Sequence, residues 1–534
     1  MSRSFAGTAV LARFAVRRDR LQLLLSTVAL PGITALALPT FAATYTNDAQ
    51  RQQRADLMRT PVGVFFGGPG YGLGDYTIGP MAINEIMPIV LLVLAVINIL
   101  TVIRHTRTEE QTGRAELVRA NAVGRRAPIT AGLIACLVAN MLIGAAIALV
   151  LLGRGLPVAD CLAVGVGVTL TGLVFAAIAA VLAQVTESSR SAMGLSVVVM
   201  AVLYLVRVSG DIAAAGGTPS SWVSPTTWFF QTRPFVELRW WPLLVPVLAI
   251  AALVPLAYAL AARRDVGAGL VAPRRGPADA AARLRSPRAL ALRLQRGPII
   301  AWTLAAVLLG FFYGSLGGQV ESMVQENPDT VRAIGNDALN VTDGFFATML
   351  IYVSVLSSVL AITSVSRMRN EERAGRGELV LATAVSRLRW MRTVLGVAAV
   401  FSSLAQIAGG VALALSSSAA LADPALVGTL VAATFNYLPI PLMFAALSAL
   451  LLGLSARATP VIWLIFAGSV FITLFSGFAQ LPGWLSNFSV FNLPALVPLD
   501  PVDVVPLAGM AVAVVLAGIA ALALFGRRDL ATTA

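Results

Sequence analysis

The chain of 534 residues has no lysine; all 39 of its basic residues are arginine. A phosphate-binding loop needs the lysine of GK[ST] to reach the nucleotide phosphates, so this chain cannot bind ATP by that route. There is one histidine, His105, through which any histidine-based zinc site or Ser-His-Asp triad would have to run. The two cysteines, Cys136 and Cys161, lie inside apolar runs and read as small packing residues, which excludes a disulfide framework and a cysteine-rich metal site. Charged residues are equally scarce, 12% against about 25% in soluble domains, while 57% of the chain is hydrophobic. Neither an ordinary soluble enzyme nor a disordered chain has that composition.

What is present is a succession of long apolar runs. A membrane-spanning helix needs about 20 mostly apolar residues. Twelve such runs fall near 21–43, 81–103, 128–152, 156–183, 190–209, 242–262, 298–316, 345–366, 393–421, 426–454, 458–478 and 505–525. With the N-terminus inside, the inner segments carry 31 arginines and the outer ones 8, whereas 11 acidic residues lie inside and 15 outside. The net charge of +13 thus follows from topology under the positive-inside rule, and no nucleic-acid partner is expected. The expected setting is a bacterial plasma (inner) membrane, crossed many times, with both termini cytoplasmic. Residues 1–20 have the charge of a signal-peptide start, but the apolar run that follows is too long and holds Pro31 and Pro39. Phe5, Val10, Phe14 and Val16 read instead as an amphipathic lead-in on the inner surface.

The chain also repeats itself. Residues 104–126 (RHTRTEEQTGRAELVRANAVGRR) and 366–388 (SRMRNEERAGRGELVLATAVSRL) share twelve of 23 positions at a constant offset of 262. Phe175-Ala176-Ala177 recurs as Phe444-Ala445-Ala446, and Arg263-Arg264-Asp265 as Arg527-Arg528-Asp529. The expected organisation is a first six-span repeat over 1–262, a cytoplasmic linker over 263–297 and a second six-span repeat over 298–534, the halves being parallel. The fold class is therefore all-α integral membrane: twelve transmembrane helices as two tandem six-helix repeats with short cytoplasmic helices.

Read as one helix from Thr106 to Ala120, the motif places Glu110 four residues before Arg114, the favourable order for an ion pair, and Glu372 before Arg376 likewise. Glu109 and Glu116 share a face, as do Glu371 and Glu378. Gly113 and Gly375 interrupt that helix at a cost of about 1 kcal/mol and suggest a bend or a close approach. A solvated charged loop explains the arginines but not three glutamates kept at one spacing in both copies. The sharper reading is a docking helix, presented twice to a soluble partner with two equivalent grooves.

The two halves, the EExxGRxELV stretch after spans 2 and 8, and the aromatic outer segments (Trp222, Trp228, Phe229, Phe230; Trp484, Phe488, Phe491) resemble one group. The chain looks like a fused, double-length permease of the ABC exporter class (type V fold, ABC2-type membrane protein), similar to actinobacterial antibiotic and multidrug efflux permeases of the tetronasin and polyketide exporter kind. The resemblance implies that 109–126 and 371–388 are coupling helices on two copies of a cytoplasmic ABC ATPase. Glu109, Glu110, Gly113, Arg114, Glu116, Arg125, Glu371, Glu372, Gly375, Arg376, Glu378 and Arg387 would then form the docks. It also implies hydrophobic or amphiphilic cargo, no enzyme activity or metal in this chain, and ATP with magnesium in the partner. The polar residues within spans, Asn98, Asn140, Gln184, Gln406 and Asn436, read first as helix-to-helix glue, with Asn98, Asn140, Gln406 and Asn436 also the candidate pathway residues. No carboxylate falls near the middle of any run, which argues against a proton-coupled major facilitator carrier. A membrane-embedded glycosyltransferase would need a convergent acidic set, and none is evident. His105, beside Arg104 and Arg107, reads as an interfacial residue.

Overall fold

Apolar runs that end in arginine fold here as long helices, because in lipid only the helix satisfies its own backbone. The computed structural model describes residues 3–271, 279, 281, 284, 286–318, 320–321, 338–475, 484 and 487–528. The protein is an all-α integral membrane protein; among the described residues there is no strand, and eleven helices are long and apolar enough to cross a membrane. A short helix, α1 (Thr8–Arg18), leads into α2 (Arg20–Thr44). There follow α3 (Ile78–Gln111), the short α4 (Arg114–Arg119), α5 (Ala127–Leu152), α6 (Val158–Val185), α7 (Ser189–Ala213) and α8 (Trp241–Ala262). The second series is α9 (Pro287–Gly314), α10 (Ala338–Arg373), the short α11 (Arg376–Leu381), α12 (Arg387–Leu421), α13 (Ala425–Leu454), α14 (Val461–Phe475) and α15 (Val504–Arg527).

Three boundaries differ from the sequence reading. The run near 458–478 appears as α14, whose 15 residues reach about 22 Å, short of a hydrocarbon core of about 30 Å; the end of that run lies outside the described residues. The run near 190–209 continues to Ala213, so Arg207 is a buried residue inside α7 rather than its end. There it lies 3.4 Å from Asp211, donates to the Gly67 carbonyl and stacks over Tyr204 and Phe230. Finally, α9 starts at Pro287 with Ser286 as its N-cap, so helix reaches back into the segment 263–297.

By its internal packing the chain divides into Met1–Gly276 and Pro277–Ala534. In the first unit α5 and α6 meet where Gly144 and Gly165 face each other, and Leu91, Leu94, Ile143, Ile147, Val164 and Phe229 pack around that seam. Small residues let helix backbones approach closely where no hydrophobic effect drives association. In the second unit Gly310 of α9 and Gly409 of α12 play the same part, beside a core of Leu350, Leu413, Tyr437, Phe444 and Phe491. Leucines and valines exposed along α2 and α15, such as Leu24, Val28, Val512 and Leu516, form faces suited to lipid.

A Cβ at Gly165 would stand 2.7 Å from the Gly144 carbonyl oxygen, whereas one at Gly194 of α7 meets nothing within 4 Å. Gly165→Val is therefore expected to destabilise the first unit by about 1–3 kcal/mol or more, and Gly194→Ala to be neutral or mildly stabilising. Melting of the detergent-solubilised chain measures both; equal effects would refute the close-packed seam.

Candidate functional site

The repeated motif folds in the same way in both units. Gly113 (φ 73°) and Gly375 (φ 69°) take the left-handed conformation that glycine adopts without steric cost, and each ends the long helix before it. The single helix expected from Thr106 to Ala120 is thus corrected to two: the end of α3 and, after the glycine, α4. The same break separates α10 from α11. This changes the charge pairing. Arg114 lies 3.8 Å from Glu109, not beside Glu110, and Arg376 donates through Nε to Glu371 at 2.6 Å, not to Glu372. A continuous helix would have aligned residues four apart; the left-handed glycine turns the arginine one position back. The bond to Glu371 raises the pKa of Arg376 above the ordinary guanidinium value.

Glu110 and Glu372 are thereby free to point inward, and each meets an arginine just beyond the last helix of its own unit. Arg264 grips Glu110 with both terminal nitrogens, at 2.7 and 2.9 Å. Arg528 holds both oxygens of Glu372 through one nitrogen, at 2.8 and 2.6 Å. The side chains are nearly closed to solvent, 8% exposed for Glu110 and 6% for Arg264, 2% for Glu372 and 12% for Arg528. These are the arginines of the repeated Arg-Arg-Asp landmark. Arg125 donates to the Arg264 carbonyl at 2.7 Å, and Arg387 donates to that of Arg528 at 2.8 Å, so each motif also caps the end of α8 or α15. Arg107 is fully buried and donates to the carbonyls of Ala183, Gln184 and Ala268; Arg369 donates to that of Ala456 at 2.7 Å. Gln184 accepts from Arg264 Nε at 2.8 Å, which makes it part of this anchor.

The remaining motif residues face outward. Arg114, Glu116 and Leu117 on α4 are exposed, as are Arg376, Glu378 and Leu379 on α11. Leu117 is 73% exposed and Leu379 72%. The two copies therefore present the same short helix, an apolar tip flanked by one acidic and one basic side chain. Sequence reasoning missed Arg264 and Arg528 as site residues, although their recurrence was visible. It also missed Arg18, which pairs with Glu109, and Asp19, which takes Arg104 and, at 2.6 Å, His105 Nε2. His105 is a buried member of that cluster.

Within the spans, Asn98 and Asn140 bond reciprocally, at 3.0 and 2.8 Å, and each also donates to the carbonyl four residues earlier. Gln406 donates weakly to the Leu350 carbonyl and Asn436 to that of Ala495, but the side-chain oxygen of each is buried with no donor among the described residues. No group of His, Cys, Asp and Glu suited to a metal ion occurs among the described residues.

The protein is thus a multi-pass helical membrane protein in which each unit carries the same kind of short, exposed helix beside a buried Glu–Arg pair. Residues 284–526 match the family model described as the C-terminal domain of the multidrug efflux system permease Rv1217c. The chain is 35% identical over 502 residues to the multidrug efflux system permease protein Rv1217c of Mycobacterium tuberculosis (strain ATCC 25618 / H37Rv), covering 91% of this chain and 88% of that one. The chain belongs to this family of multidrug efflux permeases, of the ABC exporter class, and is a transport subunit rather than an enzyme.

Removing one member of a buried ion pair strands the other, at about 3–5 kcal/mol. Glu110→Ala and Arg264→Ala should each lower the melting temperature sharply, and the double variant should cost much less than their sum. Glu116→Ala, at an exposed position, should leave melting unchanged. Additive losses in the cycle would dismiss the anchor.

Proposed function

We propose that the chain is the membrane subunit of an ATP-driven exporter that moves hydrophobic and amphiphilic compounds, antibiotics and drugs among them, out through the bacterial plasma membrane. Two copies of a cytoplasmic ATPase, which hold ATP and magnesium, seat on α4 and α11. Both termini then lie in the cytoplasm, with the arginine-rich segments. The observation that carries this reading is the pair of matched, exposed helix tips, Leu117 and Leu379, each with a buried Glu–Arg pair at its root. An apolar tip with a charged rim is what a groove on a soluble partner recognises.

In this reading the motif residues divide their work. Glu116 and Glu378, with Arg114 and Arg376, meet the ATPase; Glu110, Arg125, Glu372 and Arg387 tie its motion to the ends of α8 and α15; Gly113 and Gly375 set the angle between the two groups. Gln406 and Asn436 have buried oxygens without donors among the described residues and are the stronger pathway residues. Asn98 and Asn140, saturated by each other, act in holding α3 to α5. The two six-span halves flank a linker within 263–297, α14 serving as the eleventh span.

Leu117→Asp combined with Leu379→Asp should leave membrane insertion and melting intact, abolish co-purification of the ATPase and cut drug efflux at least about tenfold, since two central interface residues are lost. Efflux at the unmodified level in that variant would overturn the docking role.

A further inference from the structure

The first unit holds a further feature. Between α1, the motif and the end of α8 lies a cavity of about 90 Å³. Its lining includes apolar Leu11 and Phe14, basic Arg119, Arg125 and Arg264, and the carboxylates of Glu109 and Glu110. The charges do not balance. Glu110 answers both Arg107 and Arg264, and Glu109 is taken by Arg18. Arg125 uses one terminal nitrogen on the carbonyls of Ala261 and Arg264. Arg119 makes no ion pair or hydrogen bond among the described residues, and its Nε is buried without an acceptor. Burial, and then the charges of Arg264 and Arg125 against the opposing pull of Glu110, lower the pKa of Arg119. A cation so placed lacks an anion.

We propose that this cavity binds the phosphate headgroup of an anionic membrane lipid, with Arg119 and Arg125 on the phosphate and the lipid chains along Leu11 and Phe14. The position favours a lipid over free phosphate. Leu11, Phe14, Ala15 and Arg18 line the cavity at helical spacing along α1, Phe14 is largely exposed, and one residue after α1 ends the chain enters the long apolar helix α2. That places the opening at headgroup depth, on the arginine-rich side, where basic pockets between helices recognise anionic lipid heads. At the motif's offset of 262 the counterpart of Arg119 is Leu381, so only the first half carries the site. The inference does not depend on which partner seats on α4.

The test uses the purified full-length chain in neutral detergent, with lipid retention read by native mass spectrometry. Phosphatidylglycerol should be retained in preference to phosphatidylcholine. Arg119→Leu should weaken phosphatidylglycerol retention about fivefold, the loss of one cation near a lipid surface, and Arg119→Lys should keep most of it. Melting of both variants in phosphatidylcholine micelles should match the parent, which separates lost binding from lost folding. Equal retention of the two lipids, or undiminished phosphatidylglycerol retention by Arg119→Leu, overturns the site. Displacement of the lipid by millimolar inorganic phosphate assigns the cavity to a free anion and overturns the lipid assignment.

Discussion

A carboxylate closed off from water is tolerable only beside a cation that meets it with good geometry. Glu110 and Glu372 sit under that constraint, and the arginine that satisfies each comes from just past the last helix of its unit. The pair therefore fixes the end of α3 to the end of α8, and the end of α10 to the end of α15, whatever the intervening helices do. At Glu110 two parallel charge-assisted bonds also fix orientation, which a lysine on a flexible stem would not do. In a chain that uses only arginine, this joint has the stiffer of the two cations.

The glycine turn acts on this joint from the other side. Because Gly113 and Gly375 are left-handed, the adjacent glutamates of each motif take opposite roles: the first pairs across the turn with Arg114 or Arg376, and the second goes inward. The short helix after the turn is thus held at both its charged flank and its root, and its leucine tip is left in the open. A force applied at that tip passes through the turn to the buried pair and from there into two helices at once. On the proposed function the repeated motif acts as a lever with a fixed fulcrum, one in each half of the chain.

The membrane helices were legible because their signal is local and long: each apolar run carries its own evidence. The repeat was legible too, since identity at a constant offset needs no structure. The anchor was not, although both partners stood in plain view. Glu110 and Arg264 are 154 residues apart, and no periodicity links a loop to the end of a helix four spans later. Sequence spacing pairs Glu110, not Glu109, with Arg114 for a related reason: the two glutamates are neighbours in one motif, and the left-handed turn at Gly113 decides which of them faces the arginine. The Asn98–Asn140 bond joins α3 to α5 across 42 residues and was readable as polarity in lipid, not as a pair. Helix ends were misjudged at Arg207 because the hydropathy of a run stops at a charge, whereas a helix continues when the charge finds a partner one turn later, as Arg207 does in Asp211.

The halves agree in the repeated motif, the proposed dock, and diverge inside the membrane. At the motif's offset Asn98 and Asn140 correspond to Leu360 and Ser402, while Gln406 corresponds to Gly144, so no interior polar pair is shared. The motif's Arg–Glu, Gly and Leu positions are shared. A dock for two equal subunits must be the same twice, since each copy is matched to the same groove. A path for cargo has no such symmetry to obey, and its lining is free to differ from one half to the other. The supports behind the docks differ as well: Glu109 is braced by Arg18 of α1, whereas Arg367 stands 3.9 Å from Glu371 within α10. Identical faces on unlike supports are the pattern expected when recognition, and not local packing, sets which residues stay the same.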